Sequence, residues 1–417
     1  MKLEVAVTGT VLLALAGCRA YEAAPIDWAR EGRAWMERGE LAFSSLDDVA
    51  RVALVGNAEL NLLRLKRASS EGIAKATGWW EDPEFDVDLM RIVNPSEHPM
   101  LGGASLAMTI PLSGVKGLER KAAEAYTAAD AADIAVSELE TWAVAREAAV
   151  RYLSACETAQ ALRSFESDER VVAAVKAAER LSESGELSKT ETASARLRRH
   201  QRLHRLREAE AAAAEAELSL RRLLGVAPPV RLRFDGFDGS GSLEGPAAVD
   251  PLDLVRHPKV RAALCRMDGD EAALEAEIRR QYPDLKLGPA YSREEGLDRF
   301  GIVAGFSLPL WNRNRKGIAE AEGARDVARA NAVAAWREVV LGADAAQKAL
   351  ARLKDHSPEV PPSREAADRL SDAGEMNALE YLAVREETLD AELAEREWRR
   401  DVKLAEEGVR KWLATVD

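Results

Sequence analysis

Hydrophobic and polar residues alternate along this chain with two different periods, and each period returns a second time. In "PEFDVDLMRIV", Phe85, Val87, Leu89 and Val93 fall on one side, and Glu84, Asp86 and Asp88 on the other. In "GASLAMTI", Leu106, Met108 and Ile110 oppose Ser105, Ala107 and Thr109. In "PDLKLG", Leu285 and Leu287 oppose Lys286, and in "GIVAGFSL", Ile302, Ala304, Phe306 and Leu308 oppose Gly305 and Ser307. A period of two predicts strands with one apolar and one wet face. The longer runs match the roughly 9–11 residues of a tilted outer-membrane barrel strand. Arg91 interrupts the apolar side near a strand end, where a charge costs only about 0–1 kcal/mol. Four such strands cannot close a barrel alone, because lipid tolerates no open edge, so a barrel demands several chains.

The second period is helical. Trp142, Ala145, Ala149, Tyr152 and Cys156 form one seam, and Trp398, Val402, Ala405, Val409 and Trp412 form another, both spaced by alternating threes and fours. Such seams predict coiled-coil-like contacts. The run from Gly114 to Gly185 would reach about 105 Å at about 1.5 Å per residue if wholly helical. The corresponding second helix is predicted to break in "DHSPEVPPSRE", at Pro358, Pro361 and Pro362. An extended Pro-rich stretch rises about 3.1 Å per residue and restores most of the length lost there.

The two patterns occur in the same order twice. "SLAMTIPLSGVKGLERKAAEA" is echoed by "IVAGFSLPLWNRNRKGIAEAEGA", each passing from a strand through Pro-Leu and a basic turn into an Ala/Glu-rich helix. The turns "SESGELSKTE" around Gly185 and "SDAGEMNALE" around Gly374 also correspond. The expected organisation is a leader over 1–17, an N-terminal segment over 18–46, and a first repeat over 47–225 with a hairpin at 83–111 and a helical tip at 182–190. A Gly/Pro-rich linker over 226–249 leads to a second repeat over 250–417, with a hairpin at 283–309 and a tip at 371–379.

Composition narrows the function. Charged residues make up 31% of the chain and aromatics 5%, a mixture that suits long, close-packed helices better than a compact enzyme core. The net charge of −13 argues against nucleic acid as a partner. At the N-terminus, Lys2 and the apolar stretch "VAVTGTVLLALAG" read as a signal peptide, too short to span a membrane as a helix. Cys18, Cys156 and Cys265 form neither a disulfide framework nor a metal cluster, and the last two read as small packing residues. His200 and His204 share a helix face, but no third ligand is near and the surrounding arginines would repel a cation. Those arginines are expected to pair with acidic neighbouring helices. No acid, base and nucleophile set clusters, so no catalytic residue, metal site or cofactor is expected.

Taken together, the duplicated layout, "SLPLWNRNRKGIAEAEGARDVARA", the "GELS" turn with its helix ending in "LRRLLG", and Leu15-Ala16-Gly17-Cys18 resemble the TolC-type outer-membrane factors. The last four residues match the bacterial lipobox, which with "HPKVRAAL" and the Pro-broken second arm is most similar to the lipoprotein heavy-metal efflux branch. The resemblance implies a mainly α fold with a small β part, and a homotrimer whose twelve-strand barrel, four strands per chain, sits on an α-helical periplasmic tunnel. It implies lipidation of Cys18, anchoring in outer-membrane lipid, and work with a periplasmic adaptor and an inner-membrane pump as a passive exit duct for small solutes, metal cations among them. The tips, with Gly185, Leu187, Gly374 and Met376, would dock the adaptor. Asp372 and Asp368 would ring the periplasmic gate, their repulsion offset by Arg369 or Arg364 or by bound cations, and Glu84, Asp86 and Asp88 would line the pore. The hairpins are short for the family and no rich aromatic girdle marks their strands. A periplasmic lipoprotein scaffold without a pore, or a type I secretion duct, is the alternative.

Overall fold

A computed structural model describes residues 21–91, 100–186, 188–235, 250–294, 297–306, 308–358 and 364–414. Cys18, the signal peptide, Val93, Leu187, Ser307, Pro361 and Pro362 lie outside the described residues, as do most of the linker and both hairpin turns. The chain divides into two compact units. Among the described residues the smaller comprises 21–42 and Val226–Arg233. It holds helix α1 (Trp28–Trp35), capped by Asp27, whose carboxylate accepts from the Ala29 and Arg30 amides. Strands β1 (Glu40–Phe43) and β4 (Arg231–Phe234) pair as a two-stranded sheet.

The larger unit takes the last residue of each of these strands, Phe43 and Phe234, and all the remaining elements. Helices α2 (Leu46–Gly56) and α3 (Ala58–Ala76) precede strands β2 (Glu84–Arg91) and β3 (Met100–Ile110). Helices α4 (Val115–Ser167), α5 (Glu169–Glu183) and α6 (Lys189–Leu224) follow. Helix α7 (Pro258–Arg279), strands β5 (Leu285–Glu294) and β6 (Leu297–Phe306), and helices α8 (Arg315–Asp355), α9 (Arg364–Asp372) and α10 (Ala378–Trp412) complete it. Helix, two strands, interrupted long helix, turn and helix thus occur twice.

The four long strands form one antiparallel sheet in the order β2-β3-β5-β6. Pro289 lies inside β5, where a missing N–H would break a ladder. Paired residues towards β3 lapse there, between Ser105↔Ala290 and Met108↔Leu287. The helices attached to the strands repeat the same order: α3 packs on α4, α4 on α7, and α7 on α8. Ion pairs tie this row together, Arg64 to Glu138 at 2.8 Å and Arg280 to Glu119 at 2.7 Å. Further along, α4 changes neighbours and packs against α6 and α10. Ala161, Leu162, Phe165, Val171, Leu382, Leu389 and Leu393 form the core of that second tier. Both tiers use alanine at the helix contacts: Ala129, Ala143, Ala145 and Ala149 are at most 1% exposed. Such small side chains let the backbones approach closely.

One backbone contact is closer still. The end of α2 meets the end of α6, so that a Cβ on Gly56 would lie 2.1 Å from the Leu224 carbonyl oxygen. A Cβ on Gly225, which has φ +65°, would meet the Gly56 carbonyl oxygen at the same distance of 2.1 Å.

The first arm is not one helix. Instead of running unbroken from Gly114 to Gly185, it breaks at Asp168, whose backbone is extended (φ −63°, ψ 123°). The Asp168 carboxylate accepts from the amides of Arg170 and Val171 and so caps a new helix. The second arm breaks where its prolines predict, between Asp355 and Arg364.

His257 caps α7 in the same manner. Its Nδ1 accepts from the Lys259 amide at 3.2 Å, its Nε2 lies 3.4 Å from the Lys411 carbonyl, and the ring stacks on Trp412. Burial holds its pKa below the ordinary 6.5. The unfolded chain therefore takes up this proton more readily than the folded one, and stability rises with pH across the window between the two values. Urea unfolding should show stability lost as pH falls from 6.5 through the lowered value. His257→Asn, which keeps the cap acceptor, should remove that dependence. An identical pH slope in the two proteins would disprove the assignment.

Candidate functional site: the sheet faces and the helical tips

Residues directly opposite one another across an antiparallel pair point to the same face. The register therefore sorts the sheet into two surfaces. Phe85 faces Leu106, Leu287 faces Ala304, Pro289 faces Ile302, and Tyr291 faces Phe300. That surface is apolar and bare: Leu89 is 76% exposed, Phe300 84% and Ile302 77%. The other surface brings Glu84, Asp86 and Asp88 together with Ser105, Lys286, Ser292 and Arg299. The three carboxylates expected to line a pore do share this face, but they are not equivalent. Lys286 Nζ forms an ion pair with Glu84 across the sheet. No ion pair reaches Asp86 or Asp88 among the described residues.

The two tips are built alike. Gly185 (φ +79°) and Gly374 (φ +72°) supply the left-handed residue that ends each preceding helix. Glu186 N–H then donates to the Leu181 carbonyl, and Glu375 N–H to that of Leu370, each at 3.0 Å. Ser188 and Asn377 open the next helices in capping boxes with Glu191 and Glu380. Met376 is half-buried rather than protruding. Between α5, α6 and α10 the tips flank a half-open cavity of about 330 Å³ lined by Val175, Thr192, Arg199, Leu379 and Leu382 among others.

Asp368 and Asp372 take partners that the sequence reading missed. Neither Arg369 nor Arg364 forms an ion pair with them among the described residues, although the Arg364 charge is close enough to Asp368 to interact with it. Arg369 Nε donates to the Glu365 carbonyl, and Arg364 is held by Glu392. Asp372 instead receives Arg170 Nη1 at 3.0 and 3.1 Å, from the other repeat. Tyr381 donates its hydroxyl to Asp368 at 2.8 Å, and burial with that bond pushes its pKa up to about 12. Four residues along α10, Arg385 is 3% exposed and donates to Asp168 at 2.8 Å. The helix break, the tip aspartates and α10 are thus one network. The sequence signal was there: Tyr381 and Arg385 lie on the buried stripe that also carries Leu382 and Leu389.

A second network joins the helices lower in α4. Arg146, 3% exposed, takes both carboxylate oxygens of Glu407 at 2.5 and 2.8 Å, and Asp47 at 2.5 Å, with its guanidinium 4.6 Å from the Trp142 ring. The arginines of α6 pair with acidic helices as expected: Arg205 with Asp390, Arg199 with Glu179, and Arg202 with Glu166 and Glu386. His204 lies 3.3 Å from Glu208, and no group of three His, Cys, Asp or Glu residues is placed to hold a metal among the described residues. Cys156 and Cys265 are half-buried, and burial pushes the Cys156 thiol up.

No family model matches the sequence. Against curated proteins, the chain is similar to the cobalt-zinc-cadmium resistance protein CzcC of Cupriavidus metallidurans, 27% identical over 217 residues that cover 49% of this chain and 52% of that protein. The match thus spans about half the length of this relative. Solved structures extend the likeness over nearly the whole chain. A membrane protein from Pseudomonas aeruginosa superposes with a TM-score of 0.70 at 16% identity, covering 96% of this chain and 100% of the other. The Campylobacter jejuni CmeC outer membrane channel superposes with a TM-score of 0.67 at 17% identity, covering 95% and 93%. The fold is that of the TolC-type outer-membrane factors.

Within this TolC-type fold the two ion-pair networks should differ in weight. Glu407→Gln leaves a buried guanidinium half-paired and should cost about 3–5 kcal/mol in urea unfolding. Asp372→Asn breaks an exposed pair and should cost under about 1 kcal/mol. Equal costs would show that burial does not govern them.

Proposed function

We propose that the chain is one protomer of a trimeric outer-membrane exit duct. The observation that carries this reading is that the same two edges lie open in both tiers. In the sheet they are β2 and β6, and in the helical row α3 and the part of α8 nearer the sheet, before α8 meets α10 around Gly342. Both edge helices expose apolar stripes: Leu62, Leu65 and Ile73 on α3, and Val327, Val333 and Leu341 on α8. Two different edges on one protomer fit a head-to-tail ring. Pairing β2 of one copy with β6 of the next gives three chains a twelve-strand barrel, with the bare apolar face towards lipid and the carboxylate face towards the lumen. The likeness to channels supports a conduit rather than an enzyme, and no cofactor is assigned. The likeness to a cobalt-zinc-cadmium resistance protein favours divalent metal cations as the exported solutes. The tips and their cavity would receive a periplasmic adaptor linked to an inner-membrane pump. Cys18 would carry the lipid anchor, and Asp368 and Asp372 the periplasmic gate, latched by Tyr381 and Arg170.

In mild detergent, light scattering should report a trimer, and planar bilayers should show discrete conductance. A monodisperse monomer would overturn the ring, and a trimer without conductance would favour the scaffold reading. Val327→Asp with Leu341→Asp should release monomers.

Selectivity gives a separate check. Because Lys286 matches Glu84, cation preference should rest on Asp86 and Asp88. Reversal potentials in a salt gradient should move towards neutrality in the double Asn variant and much less in Glu84→Gln with Lys286→Gln, which removes both members of the pair and leaves the net charge of the face unchanged. The opposite order would remove these two residues from the lumen wall.

A further inference from the structure

The turn that connects β6 to α8 is exposed in an unusual way. Leu308 and Leu310 continue the apolar series of β6 at 61% and 57% exposure, and Trp311 is 84% exposed. A tryptophan so bare loses most of the benefit of its apolar ring in water. The turn is nonetheless a fixed one. Arg313 (φ 46°) and Asn314 (φ 51°) both take the left-handed conformation that non-glycine residues avoid. The Asn314 amide holds it there, donating to the Glu277 carbonyl at 2.9 Å and to its carboxylate at 2.6 Å. Arg313 and Arg315 are exposed, with no ion pair among the described residues. Lys316 beside them is 86% exposed, with only a loose 3.7 Å contact to Glu320.

The level of this turn in the fold matters as much as its content. Trp79 and Trp80 precede β2, Tyr282 precedes β5, and Trp311 follows β6, all at the end of the sheet that joins the helices. They are 74%, 53%, 58% and 84% exposed respectively. The strands themselves lack a girdle, as their sequence indicates, but the segments just beyond them supply one. On one side of this level stands the bare apolar sheet, and on the other the charged helices. Tryptophan and tyrosine favour the layer between hydrocarbon and water, and exposed arginines there meet lipid phosphates.

We propose that Trp311, Arg313 and Arg315 form a binding site for anionic phospholipid headgroups, which fixes the depth of the sheet in the periplasmic leaflet, with Trp79 and Trp80 at the same level in the first repeat. This rests on the membrane-inserted reading above. The indole lies among the glycerol groups and the two guanidiniums reach the phosphates.

The test uses the full-length protein reconstituted into vesicles of phosphatidylglycerol and phosphatidylcholine whose acyl chains carry bromine either near the glycerol or near the chain end. Wild type should lose more fluorescence than Trp311→Phe, and the difference should be larger with the shallow bromines. Equal losses, or a larger difference with the deep bromines, would overturn the site. In Arg313→Gln with Arg315→Gln, preference for anionic over zwitterionic vesicles should fall about fivefold per charge removed. The paired Lys variant should retain most of that preference. An unchanged preference in the Gln variant would also overturn the site, as would a Trp311→Phe protein that loses its trimer while quenching stays as in wild type, since Trp311 would then face a second copy. Conductance read in the same bilayers separates the two proposals. Channels without Trp311 quenching leave the duct standing and remove the anchor, whereas absent conductance counts against the duct itself.

Discussion

A sheet with bare edges cannot rest in hydrocarbon, because each unpaired amide and carbonyl there forfeits a hydrogen bond worth several kcal/mol. In the membrane-inserted state proposed above, that constraint decides how copies of this chain must meet. The order β2-β3-β5-β6 leaves two edges, and the helices attached to those strands keep the same order next to the sheet, so the open sides of the sheet and of the adjoining helical row coincide. A duplicated unit is the economical way to reach this state. Each repeat supplies two strands and the helices that continue them, and the strands of the two repeats meet at β3 and β5.

The helical tiers hold together by a different balance. Alanine-rich contacts bring the helices close but bury little apolar area per residue, so orientation is left to charge. Arg146 with Glu407 and Asp47, and Arg385 with Asp168, are desolvated enough that their geometry is restrictive. Such pairs add little net stability over an apolar core of the same volume, but removing one partner strands the other. Their positions follow the architecture. The first joins three helices where α4 passes from one set of neighbours to another, and the second ties the break in the first arm to the tip of the second.

Much of this was legible in the sequence, for identifiable reasons. Strand faces could be read because period-two alternation depends only on local geometry, and the register then placed Phe85 with Leu106 and Asp86 with Ser105 as the pattern implies. Tip turns could be read because a glycine followed by a capping residue is a local signal. What the sequence hid was long-range. Nothing local marks Arg170 as the partner of Asp372, 202 residues away, or Glu407 as the partner of Arg146. The break at Asp168 was missed because it needs no proline: an aspartate whose carboxylate caps the next helix is enough. The aromatic level at the sheet's end was missed for the opposite reason. It is assembled from segments flanking the strands, each too short to carry a period of its own.

The contact between Gly56 and Gly225 bears on how the two repeats are free to diverge. Each glycine is excluded from substitution by the other's neighbourhood, since both added Cβ atoms would strike a backbone oxygen rather than a side chain that could turn aside. Here no compensating exchange exists, because enlarging either position leaves the opposing carbonyl where it was. The entry of the first repeat and its exit are therefore locked to one another, and a recombinant that joined the start of one relative's repeat to the end of another's would have to inherit both glycines.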